Sequence, residues 1–210
     1  MGTIIDLSHV INEGMSVWPG SSKPEIKRTA GFETHGFNEL LLKITSHTGT
    51  HIDAPAHLIR DGKTLDKFPV EHFIGTACVV QCNNNSILDK KLIEKVLEDI
   101  AVPEFLLFHS GWAEKWADKT YFDDFPILTK EAAEYLGILA LKGVGIDAPS
   151  FDPVTSADLP IHHILMKNGI LLLENLCNLE ILSNQCDLFC FPLKIENADG
   201  SPARIVAIKK

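Results

Sequence analysis

The chain has 210 residues, of which 45% are hydrophobic and 22% charged, and its formal net charge is −9. This size and composition predict one globular domain, residues 1–210, with a core large enough to fold alone. The acidic balance argues against a nucleic-acid-binding surface, and no apolar run reaches the ~18 residues that a membrane-spanning helix needs.

Residues 1–40 are rich in glycine and proline and show no helical periodicity. This pattern predicts irregular β structure, an N-terminal β arm able to pair with a neighbouring subunit. The first 14 residues contain no basic segment followed by a long apolar one, so we expect no signal peptide and a cytoplasmic protein. The five cysteines, an odd number in apolar surroundings, predict buried thiols in a reducing compartment.

Short apolar runs rich in β-branched or aromatic residues predict buried strands at 38–46, 75–82, 104–110, 143–148, 170–175, 188–195 and 203–209. Apolar residues at helical spacing predict amphipathic helices over 89–100 and 130–142. Thr129 is the expected N-cap of the second helix, and Gly143 its expected stop. Because strands and helices alternate through the second half of the chain, we expect an α/β fold.

The segment from His47 to His57 holds three of the nine histidines and an aspartate, at positions 47, 51, 53 and 57. All four positions are odd, so an extended chain would project them to one side, whereas a helix would scatter them. Imidazole and carboxylate are ligands that suit zinc and neighbouring divalent metals. The pattern therefore predicts a metal site; the alternative is a turn whose polar side chains are merely hydrogen-bonded.

A straight strand cannot bring these side chains to one metal. His47 and His51 would lie roughly 13 Å apart in an extended chain. The backbone must therefore bend, and Gly49 is the residue that can bend at low steric cost. Pro55 is expected to end strand pairing and to turn His57 away from the first two histidines.

Further candidate ligands lie downstream, in residues 159–176. His162 and His163 precede a short apolar stretch, and Glu174 lies among leucines. An unpaired carboxylate is costly to bury there, so Glu174 needs a partner. A metal is one such partner, and a salt bridge to an arginine or lysine is the alternative.

Two aspartates, Asp147 and Asp152, follow the predicted strand at 143–148. Ligand-binding residues commonly follow strand carboxyl ends in α/β sheets, so either aspartate could orient a ligand histidine. Each could equally cap a turn before a proline. The sequence leaves both readings open.

Taken together, these motifs resemble the metal-dependent cyclase-like hydrolases, the family that includes bacterial kynurenine formamidase and isatin hydrolase. The pattern His-x-Gly-Thr-His-x-Asp-x-Pro-x-His of that family is matched without a gap by residues 47–57. Supporting similarity at 6–20, 143–153, 162–176 and 199–204 extends the resemblance from end to end.

The resemblance implies a single-domain α/β fold of the swivelling β/β/α type, a homodimer or larger oligomer, and zinc or manganese, often two ions per subunit. It implies that His47, His51 and Asp53 bind the first metal. Asp53 would bridge to a second metal held by His162 and Glu174.

The same resemblance favours His162 over His163, because His162 lies twelve residues before Glu174. It makes His57 the acid–base residue and Trp18 part of the substrate pocket. Phe37 is a further aromatic candidate for that pocket. Both aromatic side chains could instead be ordinary core residues.

The implied reaction is hydrolysis of an amide or formamide, most specifically of N-formylkynurenine to kynurenine and formate. A divalent metal would activate water and polarise the carbonyl, while His57 would carry the proton. One alternative is a hydrolase of a cyclic amide or lactone, of isatin-hydrolase type. Another is a non-catalytic metal- or metabolite-binding protein on the same fold, against which the presence of His57 argues.

Overall fold

The structure, a computed structural model, describes residues 2–82 and 86–209. Its strands are β1 Ile4–Asp6, β2 Glu25–Ala30, β3 Glu39–Lys43, β4 His51–Asp53, β5 Ile74–Gln81, β6 Ile87–Leu88, β7 Phe105–His109, β8 Ile127–Leu128, β9 Gly143–Ile146, β10 Leu171–Glu174, β11 Gln185–Pro192 and β12 Gly200–Lys209. Its α-helices are α1 Phe32–His35, α2 Lys90–Leu97, α3 Lys130–Gly137 and α4 Pro160–Lys167. Short 3-10 turns lie at Pro55–His57, Leu65–Lys67, Val70–Phe73, Trp112–Lys115 and Leu179–Ile181.

Seven strands close into a ring in the order β4, β10, β9, β7, β5, β11 and β12, with β12 pairing back onto β4. The first three residues of β12 pair with β4, and later residues of the same edge pair with β1, outside the ring. Neighbours among β5, β7, β9 and β10 are parallel, and the remaining pairs in the ring are antiparallel. The α/β class expected from the sequence is confirmed in this mixed, closed form.

The sheet separates two apolar cores, because alternate residues of a strand point to opposite faces. Helices α2, α3 and α4 connect successive parallel strands and cover one face, where their apolar residues meet side chains such as Leu106 and Phe108 of β7. Phe105 and Leu107 of the same strand point into the other core, inside the ring.

None of the helices within residues 2–82 and 86–209 is long and apolar enough to cross a membrane.

Both predicted helices are present but shorter than expected, since α2 ends at Leu97 and α3 at Gly137. Thr129 is confirmed as the N-cap of α3, where its hydroxyl accepts a hydrogen bond from the Ala132 amide at 3.1 Å. The sequence did not predict α4.

The prediction that Gly143 stops the second helix is wrong. Gly143 is instead the first residue of β9, in the middle of the closed sheet. A Cβ atom at this position would lie 3.0 Å from the ring of Phe105, so the position calls for glycine because of close packing between neighbouring strands.

Six of the predicted strands correspond to β5, β7, β9, β10, β11 and β12 of the ring. The expectation of burial is wrong for the run at 38–46, because every residue of β3 is exposed. Among the described residues, β3 pairs with β2 in a separate two-stranded sheet. Its leucines therefore stand away from both cores, and the run resembles a core strand only in composition. All five cysteine side chains are buried, as predicted.

Leu173 of β10 is fully buried inside the ring, whereas Ile138, at the end of α3, is 77% exposed. We expect Leu173→Ala to lower the free energy of unfolding by about 2–5 kcal/mol, since it removes packed methyl groups from a closed core. Ile138→Ala should change it by less than about 0.5 kcal/mol. Urea unfolding of both variants measures the contrast, and equal losses would contradict the assignment of the core.

Candidate metal centre

Closure of the sheet brings the histidine motif against Glu174. In the antiparallel pair of β4 and β10, His51 lies directly opposite Glu174. Asp53 follows two residues later and so projects from the same face of β4. Gly200 of β12 lies opposite Asp53 on the other side. Strand register therefore juxtaposes carboxylates that are far apart in the sequence.

The backbone bends at Gly49, as predicted, with φ of 67°, a left-handed conformation that favours glycine. This bend lets His47 return to the strand that follows it, and its Nδ1 lies 2.6 Å from Oδ1 of Asp53. The ring of His47 also packs on Gly200, where an added Cβ would come within 2.6 Å of it.

Pro55 follows the short strand β4 and begins the turn Pro55–His57, so strand pairing ends here, as the sequence predicted. The expectation that this turn directs His57 away from the first two histidines is wrong, because the tight turn folds the chain back and brings the ring centroid of His57 to 4.2 Å from that of His47. Nδ1 of His57 lies 3.2 Å from Oδ2 of Asp199, and its side chain is 28% exposed. His57 thus lies at the edge of the cluster, where solvent and a ligand can reach it.

The structure brings His162, and not His163, to the cluster, because adjacent residues of a helix point ~100° apart. Nε2 of His162 lies 3.2 Å from Oε1 of Glu174 and 3.9 Å from Oδ2 of Asp53. Helix α4 is oriented by Asp152, whose carboxylate accepts the backbone amide hydrogens of Ile161 and His162.

Among the described residues, three sets of side chains have donor atoms within 4.8 Å of one another, close enough to hold a cation. The first is His47, His51 and Asp53, and the second is Asp53, His162 and Glu174. The third, His47, His57 and Asp199, is half-buried. Because Asp53 belongs to the first two sets, its two oxygens can serve two neighbouring ions.

Glu174 supplies an independent indication that a cation belongs here. Its Oε1 is buried and makes no well-aligned hydrogen bond to a described residue, although Nε2 of His162 lies 3.2 Å away. A buried carboxylate oxygen that is incompletely satisfied is costly, and metal coordination removes that cost. Together with imidazole nitrogens, this donor set fits zinc or manganese.

Three histidines belong to the sets that include Asp53, and we call them the inner histidines: His47, His51 and His162. Each directs one ring nitrogen outwards to an acceptor and the other towards the carboxylates of Asp53 and Glu174. Nδ1–H of His51 donates to the Gly49 carbonyl at 2.8 Å, and Nε2 of His51 lies 3.2 Å from Asp53. His162 contacts Asp152 through Nδ1 at 2.7 Å. His47 reaches Asp199 through Nε2 at 2.9 Å. Such outer acceptors set the tautomer of metal-binding histidines and raise their basicity.

The charges of the cluster are coupled. Burial lowers the pKa of His47, but Asp53 and Asp199 outweigh it and raise that pKa to about 10. Burial likewise opposes the effect of Asp152 and Glu174 on His162, whose pKa also rises to about 10. The metal-free cluster therefore holds protons at neutral pH, and an entering cation would displace them.

Asp147 and Asp152 have different partners. Asp152 contacts His162, whereas Asp147 accepts hydrogen bonds from Ser110 and the Gly111 amide and does not reach the histidines. Asp199 was missed as a site residue. In the sequence, the one indication was that residues 199–204 resemble the corresponding segment of the family. Nothing local to Asp199 predicts its contacts with His47 and His57, because these contacts form only when β12 closes the ring.

A cavity of about 280 Å³ opens onto the cluster. Trp18, the residue predicted for the substrate pocket, lines this cavity and meets Phe122 edge-on with ring centroids 5.9 Å apart. The placement of Phe37 in this pocket is wrong, because Phe37 is 53% exposed and lies next to the two-stranded hairpin. No local pattern singles out Phe122, which a long connection after β7 brings to the cavity.

Comparisons with known proteins agree with this geometry. The model of the Cyclase family, described as "Putative cyclase", matches residues 5–153. Kynurenine formamidase of Geobacillus thermodenitrificans (strain NG80-2) is 34% identical over 100% of this chain and 99% of its own length.

Several solved structures share the fold. Isatin hydrolase A from Labrenzia aggregata, bound to benzyl benzoate, superposes with a TM-score of 0.89 at 26% identity, covering 99% of this chain and 93% of the other. A structure described as a potential metal-dependent hydrolase with cyclase activity gives 0.84 at 27% identity, over 100% and 99%. The family match and the full-length relative show that this chain belongs to the cyclase family of metal-dependent hydrolases.

Proposed function

We propose that this protein is a metal-dependent hydrolase of an amide or formamide bond, and that its substrate is N-formylkynurenine. The observation that carries the proposal is the convergence of three imidazoles on the buried carboxylates of Asp53 and Glu174. Full-length identity of 34% to a kynurenine formamidase supports the choice of substrate.

The proposed ligands follow the two convergent sets. His47, His51 and Asp53 would hold one ion, and Asp53, His162 and Glu174 would hold the second. We propose zinc or manganese, two ions per subunit. When bound, a divalent ion supplies Lewis acidity and lowers the pKa of water in the site.

Proton transfer is assigned to His57. It lines the cavity without belonging to either proposed ligand set, and Asp199 fixes its ring through Nδ1. His57 accepts the proton of the attacking water and passes it to the aryl amine as the C–N bond breaks, releasing formate. Asp199, whose contact with His47 lowers its pKa well below the usual range, remains an anion throughout.

The apolar part of the cavity suits an aryl group. Trp18, Phe122, Val154 and Leu159 line the same cavity as the polar cluster, and the rings of Trp18 and Phe122 meet edge-on. We propose that the aniline ring of the substrate lies against Trp18 while its formyl group faces Asp53. Burial of an aromatic ring contributes binding energy, and the polar cluster orients it.

Hydrolysis of a cyclic amide of isatin type is the second candidate. It is favoured by the TM-score of 0.89 to an isatin hydrolase. Opening a cyclic amide needs the same attack on a carbonyl and the same proton transfer, so the cluster alone does not select between the two substrates.

For the assembly we propose a cytoplasmic homodimer or larger homo-oligomer, built from one domain of the swivelling β/β/α type spanning residues 1–210. The proposed arm, residues 1–40, includes β2, which pairs with β3, and the β3 side chains Leu40, Leu41 and Leu42 are each more than half exposed. Successive leucines point to opposite faces, and a lone two-stranded hairpin is marginal in water. A neighbouring subunit would cover these faces. Neither nucleic acid nor a membrane is proposed as a partner.

The substrate assignment is tested with purified protein depleted of metal and then supplied with zinc or manganese separately. We expect N-formylkynurenine to be hydrolysed with a higher kcat/KM than isatin, and no turnover without metal. Formate release measures the first reaction and ring opening the second. Metal binding with no turnover on any amide, lactam or lactone tested would instead favour a binding protein.

The separation of ligands from the acid–base residue predicts opposite outcomes for two histidine variants. His51→Ala should lose metal, because it removes a buried donor from the first set. His57→Ala should keep metal but lower kcat by about 10²–10⁴-fold, the usual worth of an acid–base group. Metal content and turnover are measured on the same preparations, with His163→Ala as the matched control. Loss of metal from the His57 variant would move that residue into the ligand set.

A pH dependence follows from the raised pKa values of His47 and His162, about 10 in the folded metal-free protein against roughly 6.5 when unfolded. Their stabilisation is complete below pH ~6.5 and is lost as the pH rises towards ~10, because the folded state binds more protons than the unfolded state over that window. We expect the metal-free protein to lose stability from pH 6.5 to 9, and bound zinc to reduce this loss. Urea unfolding with chelator or with stoichiometric zinc measures the effect; a metal-free stability that rises over this range would contradict it.

A further inference from the structure

Tyr121 and Asn175 form a buried polar pair next to the cluster, and Asn175 also lines the cavity. Tyr121 is fully buried, and its hydroxyl donates a hydrogen bond to Oδ1 of Asn175 at 2.8 Å. Asn175 immediately follows Glu174 and has a left-handed φ of 56°. Because its oxygen is engaged by the hydroxyl, the amide nitrogen of Asn175 must face the other way.

On that other side lies the carbonyl of Gly49. Nδ2 of Asn175 donates to this oxygen at 3.1 Å. The same oxygen accepts the hydrogen bond from Nδ1–H of His51 at 2.8 Å. The Gly49 carbonyl is therefore held between two donors, one from the proposed ligand His51 and one from Asn175.

His51 differs in this respect from the other two inner histidines. His47 and His162 each contact a carboxylate directly, Asp199 and Asp152 respectively. The outward acceptor of His51 is a backbone oxygen at the left-handed bend. The Gly49 carbonyl can fix the ring of His51 only if the backbone at Gly49 is itself held in place. Asn175, which directly follows β10, supplies this support through its hydrogen bond to the same carbonyl.

The tyrosine is rigidly placed for this task. Its ring meets Trp116 and Phe122 edge-on, each with centroids 5.2 Å apart. Trp112 donates from its indole nitrogen to the Tyr121 carbonyl at 2.8 Å. Burial, with the nearby Asp147 and Glu174, raises the pKa of Tyr121 well above its ordinary value, so the hydroxyl remains a donor.

We propose that Asn175 is a positioning residue that holds His51 for metal binding through the Gly49 carbonyl, and that Tyr121 sets the orientation of the Asn175 amide. The inference rests on the proposed metal site and extends it. The relay keeps the proton of His51 on Nδ1 and leaves Nε2 facing Asp53 at 3.2 Å. Neither Tyr121 nor Asn175 needs to touch the metal.

A double-mutant cycle on metal affinity tests the relay. Asn175→Ala should raise the zinc Kd by about 10–100-fold, as loss of an outer partner typically does. Tyr121→Phe, which keeps the buried ring, should raise it by about 3–10-fold, the usual worth of one hydrogen bond. In the Asn175→Ala background Tyr121→Phe should have no further effect, because the two side chains act in series. Tyr135→Phe removes the other tyrosine hydroxyl and is the matched control.

A second readout follows the ring of His51 itself. In the zinc-loaded wild type, nitrogen-resolved NMR should show the His51 proton on Nδ1, and Tyr121→Phe should shift or broaden that signal. Additive effects of the two substitutions on Kd, or an unchanged Kd in both, would overturn the relay. If Asn175→Ala does not fold, Asn175→Asp replaces it in the cycle, because aspartate cannot donate to the Gly49 carbonyl. If the wild type does not bind zinc, both the proposed function and the relay are overturned. If the wild type binds zinc but the variants do not behave as described, only the relay is overturned.

Discussion

The site depends on one pairing interaction, the insertion of the three-residue strand β4 between β10 and β12. This pairing closes the ring of seven strands and simultaneously sets His51 opposite Glu174. It thereby concentrates buried negative charge from Asp53 and Glu174 at one point. Such an arrangement is unfavourable unless positive charge compensates it, which the protonated histidines do in the absence of metal.

Each of the three histidines that compensate this charge is oriented by its own hydrogen-bond acceptor. Asp152 and Asp199 hold His162 and His47 directly, while the Gly49 carbonyl serves His51. Asp199 also touches His57, so one partly exposed carboxylate connects a proposed ligand with the proposed acid–base residue. The geometry of the outer groups therefore governs both metal affinity and proton transfer, and the two properties are expected to change together when Asp199 is altered.

The sequence predicted those parts of the site whose geometry is local. The bend at Gly49 and the end of strand pairing at Pro55 depend on neighbouring residues only, and both are present. The common parity of 47–57 applies only to His51 and Asp53, because β4 is three residues long and His57 folds back onto His47. Contacts made across the closed sheet could not be read in this way. Asp199 reaches its two histidines only because β12 returns to β4. Phe122 reaches the cavity along an irregular connection.

The failures of the fold prediction have the same origin. A leucine-rich run such as β3 predicts a strand, but its composition does not reveal whether anything covers it. From the sequence alone, Gly143 resembles a residue that ends a helix. In the structure it is a glycine because the ring of Phe105 in the adjacent strand leaves no room for a side chain. In both cases the deciding neighbour is distant in sequence, whereas helix caps such as Thr129 are decided within one turn.

The position of β12 in the chain has a consequence for biosynthesis. This strand is made after every other strand of the ring, yet it supplies the edge on which β4 rests and follows directly on Asp199. Until β12 has been made, β4 has only β10 to pair with in the ring, and the sheet cannot close. Enclosure of the site is therefore expected to follow the synthesis of this strand rather than that of the histidine motif.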